Sequence, residues 1–524
     1  MLTDRKTNSD DARTCPFPTQ LWSSDSSYIV FCWTNIEQHY CLAHPPTLTH
    51  THTQGSHLSA VPESMERRPH VLAIAFPAQG HVGPLMKLSS QVARRGIRVT
   101  FVNTKSVHTR MLEASEDNDH RQDGIEIATI PDGMEEIKDM RDIEKVAEMR
   151  VKVMSRHFEE LLTKMNSSPD EKVTCVIADG TIGWAFEVAE KMGIKRAMFW
   201  PTVVPGLVLS LFVPRLVEAG VIDNCGSASS DTVIQFSPKL PAVKTMDFLW
   251  RCPGDQRRQE IMFRHAMTVN KTARISNWLL CNSFYELDHA ACGLIPELLP
   301  VGPLSSTDCL GNFWAEDLTC LNWLDLQPRK SVIYVAFGSL AAFSQNQFEE
   351  LALGLELSGH PFLWVVRSGL TNVEEIKYPD GFLERVSDRG KIVSWVPQEK
   401  VLAHPSVSCF VTHCGWNSTM EGISNGVPFL CWPCFADQFY NRSYICDTLK
   451  VGLDLKAEEA EIVSRHKIQA QLEQLLSDLQ INENAERLRG MAKRSVSEGG
   501  SSSTNIQHFV EQLKCCSEAV YHCV

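Results

Sequence analysis

The chain has 524 residues, 43% of them apolar and 22% charged, an ordinary globular balance with length for two or three domains. A formal net charge of −13 argues against a nucleic-acid footprint and against a polybasic membrane anchor. The 18 cysteines are scattered without framework spacing, which fits free thiols in a reducing, cytoplasmic setting.

Residues 1–64 differ from the rest. Tyr28–Trp33 is apolar but too short for a secretory core. The run from His44 through His50 and His52 to His57 has neither helical nor strand period, and no Cys or carboxylate stands among its histidines at ligand spacing. The reading is a disordered or artefactual extension, with Met65 as the natural start.

From residue 70 a unit repeats: apolar strand, loop, amphipathic helix. Val71–Phe76 reads as a strand, and Gly80–Pro84 as the loop entering a helix, with Pro84 in its first turn. That helix runs to about Arg95 and stops at Gly96; Arg98–Val102 is the next strand. Val173–Ala178 is a strand ending at Asp179, followed by a helix with Trp184, Val188 and Met192 on one face and by the strand Arg196–Phe199. Trp200–Val217 is the most apolar stretch, but Pro201, Pro205, Pro214 and Arg215 make it a buried loop and helix, not a bilayer span.

The second half repeats the scheme. Val332–Phe337 is a strand, Ser344–Gln347 a capping box, and Phe362–Val366 the next strand. Ile392–Ser394, Ser408–Thr412 and Val427–Trp432 are further strands. Continuous apolar strands alternating with helices mean parallel sheets covered on both faces. The fold class is therefore α/β, two Rossmann-like parallel-sheet domains facing a cleft. They span 65–305 and 306–500, joined at the Pro-rich stretch Leu298–Ser306, with 501–524 as a tail. Ligands in such sheets sit beyond the carboxyl ends of the strands, so the loops after strands matter most.

The segment Trp395–Gln438 has the physics of a nucleotide-diphosphate site. A turn at Gly415 allows close backbone approach, and Asn417 or Ser418 can cap the helix that follows. Helix amides and dipole then favour a phosphate. His413 can donate to a phosphate oxygen, Trp395 offers a face to a base, and Glu421 can accept from ribose hydroxyls. Taken singly, each residue has a duller reading as packing, cap or solvated charge.

Taken together, the 44 residues WVPQEKVLAHPSVSCFVTHCGWNSTMEGISNGVPFLCWPCFADQ resemble the signature box of plant UDP-dependent glycosyltransferases of secondary metabolism, and the resemblance extends from about Met65 to the end. It implies a GT-B fold, no metal or other cofactor, and inversion at the anomeric carbon. It implies that Trp395 stacks on uracil, that Val396 meets the base through its backbone, and that Gln398 and Glu421 hold the ribose. His413, Gly415, Asn417 and Ser418 are then at the phosphates with Ser339, while Trp416, Asp437 and Gln438 face the sugar. A final Gln in the box looks like a glucose donor. The resemblance also implies that the helix after Gly499–Thr504 crosses back to the first domain.

Acceptor hydroxyls need a base near the operating pH and a carboxylate to fix its tautomer. His81 and Asp179 both stand at the ends of strands of the first half. By residue type alone, His81 ranks little above the other seventeen histidines. Phe76-Pro-Ala-Gln-Gly-His81 and Ala178-Asp179 resemble the family's catalytic loop and activating Asp, which implies direct displacement of UDP. A helix N-cap is the other reading of Asp179.

Other signals compete. Gly422-Ile-Ser424-Asn-Gly426 fits a hydrolase pattern, but a nucleophile elbow needs a strand before the serine and a helix after it. Cys431 and Cys434 read as buried thiols rather than a redox pair. Asp117-Asn-Asp119 resembles an acidic metal pair but lies in a charged stretch. A UDP-sugar-binding protein without catalysis remains a second class of function, which the presence of both His81 and Asp179 argues against. Acceptor walls are expected around Trp184, Trp200–Phe212 and Met246–Arg264, suiting a planar or hydrophobic aglycone such as a flavonoid or other phenolic. No obligate protein partner is evident.

Overall fold

The structure is a computed structural model that describes residues 21–22, 28–30, 68–114, 121–122, 124–134, 143–228, 230–305, 311–371, 376–455 and 462–519. Its frame is two sheets. The first holds β1 (His70–Ile74), β2 (Arg98–Thr104), β3 (Arg121–Gln122), β4 (Ile125–Ile130), β5 (Cys175–Asp179), β6 (Lys195–Trp200), β7 (Trp278–Cys281) and β8 (Leu298–Pro300). Their order is β8-β7-β6-β5-β1-β2-β4-β3, parallel except for β3. The second holds β9 (Val332–Ala336), β10 (Phe362–Val365), β11 (Gly390–Val393), β12 (Val407–Thr412), β13 (Phe429–Cys431) and β14 (Gly452–Asp454). All six are parallel, in the order β11-β10-β9-β12-β13-β14.

Every residue of β1, β5, β9 and β12 is buried, because helices cover both faces; that is why these strands read as unbroken apolar runs. Strand order reverses between β1 and β5 in one sheet and between β9 and β12 in the other. A parallel sheet opens a crevice at such a switch point. One apolar cluster runs unbroken from Met198 and Trp200 in the first half to Trp416 and Tyr444 in the second, so the halves share a core.

Several local expectations change. The first helix is Gln79–Ala93, capped by the Ala78 backbone, so His81 lies within its first turn and Pro84 lies inside it. Leu298–Pro300, read as part of the join, is the edge strand of the first sheet. Ser344 caps its helix by accepting from the Gln347 amide, but the Gln347 side chain does not complete the box; it bonds both ways to the Val463 backbone. Trp184 packs edge-on against Phe158 at 5.6 Å in the core and lines no part of the cleft. Of residues 1–64, Leu21–Trp22 and Tyr28–Val30 form strands, and Tyr28–Val30 lies parallel to Val233–Gln235. These are the apolar, β-favouring pieces of a segment read as having no structure. The rest of 1–64, including the His44–His57 run and Tyr28–Trp33 beyond Val30, lies outside the described residues, as do Asp117 and Asp119.

The last helix, Ser501–Ala519, returns to the first sheet. Ile506, Phe509, Val510 and Leu513 enter the core beside β1 and β2, and Trp278 meets Phe509 edge-on at 5.5 Å. Asn505 donates to the Pro300 carbonyl at 2.8 Å. Among the described residues no helix is long and apolar enough to cross a membrane. Replacing the fully buried Phe509 with Ala should cost about 3–5 kcal/mol. Urea unfolding monitored by tryptophan fluorescence checks this; an unchanged midpoint would mean the tail does not contribute to the core.

Candidate active site

A cavity of about 680 Å³ lies between the carboxyl edges of the two sheets, lined by residues of both halves. On its first-half side stand His81 and Asp179, brought together because β1 and β5 are neighbours. His81 Nδ1 donates to Asp179 Oδ2 at 2.5 Å. The other carboxylate oxygen accepts from the amide and hydroxyl of Thr181 at 2.9 and 2.7 Å, so Asp179 also caps the turn after β5. Asp179 is fully buried, whereas His81 is 31% exposed toward the cleft. Burial alone would lower the His81 pKa; the charge and hydrogen bond of Asp179, with Asp437 beyond, outweigh it and raise the value. Burial pushes the Asp179 carboxyl up, but His81 and Thr181 hold it below its usual range. An imidazole fixed through Nδ1 presents Nε2 as a proton acceptor.

Pro84 shapes this turn further. It has no N–H to return to the Gly80 carbonyl four residues back, and its ring crowds that carbonyl. The freed Gly80 carbonyl accepts instead from Asn417 Nδ2 of the second half at 2.7 Å.

The phosphate-like end is built by the loops after β9 and β12. The helix Trp416–Asn425 starts at Gly415 with no side-chain cap, so neither Asn417 nor Ser418 caps it; Asn417 crosses to Gly80 and Ser418 Oγ accepts from Gln398 at 2.9 Å. Intrahelical bonding begins at the Thr419 amide, donated to the Gly415 carbonyl at 2.9 Å, and no cap fills the anion-favouring first turn. His413 lies against Gly338 and Gly415: a Cβ built on either would come within 2.6 or 2.5 Å of its Nε2. Burial, with Arg367 nearby, pushes the His413 pKa down to about 4, so it is neutral and has one N–H to donate. Arg367, at the end of β10, braces the Gly338–Ala341 loop by donating to the Gly338 carbonyl at 2.8 Å and to that of Ala341. Ser339 lines the cavity from this loop.

Trp395 lines the cavity, and Trp314 stacks on it with centroids 4.5 Å apart. Val396 is buried beside it. Gln398 is fixed at both ends: Oε1 accepts from Tyr334 at 2.9 Å, while Nε2 donates to Ser418 and, at 2.7 Å, to Glu421 Oε2. Trp416 is turned away from solvent, its indole donating to the Asn282 carbonyl at 2.8 Å. Asp437 accepts from Thr202 of the first half at 2.6 Å and from Asn441 at 3.0 Å, and burial raises its pKa. Gln438 Oε1 accepts from the amides of Cys434 and Phe435 at 2.9 and 3.2 Å. Ala436, a non-glycine residue with positive φ (φ 54), lines the cleft and is held by donating its amide to the Arg251 carbonyl at 3.1 Å; Cys414 (φ 64) is buried between the lining residues His413 and Gly415.

The first-half walls come from Phe76, Trp200–Thr202, Leu249, Met262, His265 and Val269. The reading from sequence did not single out His265, Arg367, Trp314 or Asn282; of these, Arg367 and Asn282, each just past the carboxyl end of an apolar strand, carried a local signal. Ser424 lies inside a helix and donates to the Met420 carbonyl at 2.6 Å, which leaves no nucleophile elbow. Cys431 is buried in β13 and opens no helix. Among the described residues no group of three His, Cys, Asp or Glu side chains could hold a metal.

Residues 105–496 match the family model described as UDP-glucuronosyl and UDP-glucosyl transferase. The chain is 40% identical over 461 residues to UDP-glycosyltransferase 83A1 of Arabidopsis thaliana, covering 85% of this chain and 97% of that protein. It is 35% identical to the (R)-mandelonitrile beta-glucosyltransferase of Prunus dulcis, covering 76% and 87%. Among solved structures it resembles Os79 of O. sativa in complex with UDP, with TM-score 0.71 and 27% identity over 84% of this chain and all of that one. It also resembles Phytolacca americana UGT2 complexed with UDP-2fluoro-glucose and pterostilbene, with TM-score 0.72 and 27% identity over 85% and 99%.

Gly338 (φ 62) has the backbone of a glycine and the His413 ring against it. Gly338→Ala should displace that ring and weaken UDP binding by about tenfold or more in calorimetric titration. Unchanged affinity would remove His413 and this loop from the diphosphate site.

Proposed function

The chain belongs to the UDP-glucuronosyl and UDP-glucosyl transferase family and is a UDP-glycosyltransferase; we propose that it moves glucose from UDP-glucose to a hydroxyl or carboxyl of a small hydrophobic metabolite, with inversion. The observation that carries this reading is the His81–Asp179 pair facing, across one cavity, an uncapped helix N-terminus. A binding module without catalysis would have no use for a buried carboxylate fixing an exposed imidazole.

In this reading uracil stacks on the face of Trp395 opposite Trp314, with the Val396 backbone at the base edge. Gln398 and Glu421 hold the ribose. His413, Gly415, Ser339 and the amides of Asn417 and Ser418 receive the diphosphate, and Asp437, Gln438 and Trp416 border the sugar. His81 Nε2 takes the proton of an acceptor hydroxyl, the acceptor oxygen bonds to the anomeric carbon, and the bond to UDP breaks with its electron pair on the departing phosphate oxygen. Asp179 holds the Nδ1–H tautomer and steadies the imidazolium. No metal is needed in this scheme, since helix amides and His413 meet the developing phosphate charge.

Apolar acceptor walls support a planar or hydrophobic acceptor, with a flavonoid or other phenolic as the first candidate. The relative named for (R)-mandelonitrile and the neighbour solved with pterostilbene support a small molecule. A cytoplasmic location fits the described cysteines, which form no disulfide.

The base must be neutral to act. Asp179 raises the His81 pKa above the ordinary 6.5, so kcat/KM should fall as pH drops through that raised value. Asp179→Asn removes the raising partner. It should shift the acid limb to lower pH and lower the plateau by about a hundredfold or more. His81→Ala should lose about a hundred- to ten-thousandfold in turnover with a phenolic acceptor. Chelator should change neither rate. An acid limb that does not move in Asp179→Asn would sink the assignment, and so would near-normal turnover in His81→Ala.

A further inference from the structure

We infer that Lys87 completes the donor site from the opposite half, holding Glu421 in position for the ribose of the donor. This rests on the reading above that Gln398 and Glu421 take the ribose hydroxyls. Lys87 is on the same helix as His81, Gln79–Ala93, and at spacing i, i+3, i+6 the residues His81, Pro84 and Lys87 all line the cavity. One rigid rod therefore carries the base at one level and an ammonium about 9 Å further along its axis.

Lys87 Nζ crosses to the second half. It donates to Glu399 and, at 3.4 Å, to Glu421 Oε1. The other oxygen of Glu421 accepts from Gln398, which Tyr334 anchors through its hydroxyl. The Glu421 carboxylate is thus oriented from both sides, by an amide of its own half and by a cation of the other. Lys87 and Glu421 are each only 16% exposed at the side chain, so the pair is little screened by solvent. Burial would lower the ammonium's pKa, but the two glutamates hold it above the usual lysine value.

Charge gives a second reason for a cation here. Glu399 and Glu421 stand together beside the expected position of an anionic diphosphate donor. Like charges in a partly buried site repel strongly. Lys87 offsets them, and it does so only when the two halves are closed on each other. The lysine is a positioning residue, acting on the donor through Glu421.

The test uses the full chain with Lys87→Met, Lys87→Arg and Glu421→Ala. Kinetics are measured with UDP-glucose and with its 2′,3′-dideoxyuridine analogue, which lacks both ribose hydroxyls. Each variant's preference for the full ribose is a ratio within one preparation and so does not depend on the folded fraction. Lys87→Met should raise KM for UDP-glucose about tenfold, with the loss on KM rather than kcat. It should also shrink the ribose preference toward that of Glu421→Ala, and Lys87→Arg should restore much of both. If Glu421→Ala abolishes the preference while Lys87→Met leaves it intact, the inference on Lys87 is overturned and the ribose reading stands. If Glu421→Ala leaves the preference intact, the ribose reading itself fails, and the role of Lys87 with it.

Discussion

Pro84 has no N–H to close the helical bond to Gly80, and the carbonyl it leaves open is where the two halves of the molecule meet most consequentially. Asn417, in the first turn of the helix Trp416–Asn425, donates to that carbonyl. The residue after Gly80 is His81. A single bond thus ties the turn that carries His81 to the first turn of the uncapped helix across the cleft. Neighbouring contacts fix its direction: Asn282 donates to Asn417 at 3.3 Å, and the Trp416 indole donates to the Asn282 carbonyl. The strap between the sheets works on the same turn. The Phe313 amide donates to Gln79 Oε1 at 2.9 Å, and Trp314 then stacks on Trp395. Catalysis by positioning tolerates little misplacement, and here the spacing of the two turns is set by hydrogen bonds between them rather than by the join alone.

The charges at this interface follow the same logic. Arg442 pairs with Asp247 of the first half at 2.8 Å and with Asp454 of its own half. Tyr444 and Ser283 both donate to Asp288, whose carboxyl burial pushes up to about 6. Buried pairs of this kind add little net stability, but separating one partner leaves a costly unpaired charge. They therefore select one docking of the halves over others. Within the cleft, environment separates two histidines by task. Asp179 raises the His81 pKa, as the base of the proposed reaction needs, whereas burial and Arg367 keep His413 neutral.

What the sequence made legible follows from which features are local. Buried parallel strands are continuous apolar runs, so β1, β5, β9 and β12 stood out within a residue or two of their ends. The Gly415 turn and the carboxyl-edge positions of His81 and Asp179 were legible for the same reason. Pro84 misled because proline at a helix start is common; here it sits in the helix interior, where its missing donor is used across the cleft. Asn417 was read as a cap because that role needs only its own helix, while its observed partner is 337 positions away. Lys87 and Trp314 were passed over for that reason: each looks like an ordinary surface or packing residue until its distant partner is placed beside it. Trp184 erred the other way, an aromatic assigned to the cleft that the core required.

The two ends of the cavity also differ in how they can discriminate. The second-half end presents oriented polar groups: the backbone of an uncapped helix, Gln398 anchored at both ends, Glu421 held from two sides, and Gln438 fixed by loop amides. A ligand lacking a matching group there leaves a buried polar atom unpaired, which is the strong form of selection. The first-half end is mostly apolar surface, made by Phe76, Trp200, Leu249, Met262 and Val269 from four separate segments. Apolar walls discriminate by shape, at about 1–3 kcal/mol for a methylene gained or lost. One end of the cleft therefore selects by hydrogen bonds and the other by volume; in the proposed reading these ends take the nucleotide and the aglycone.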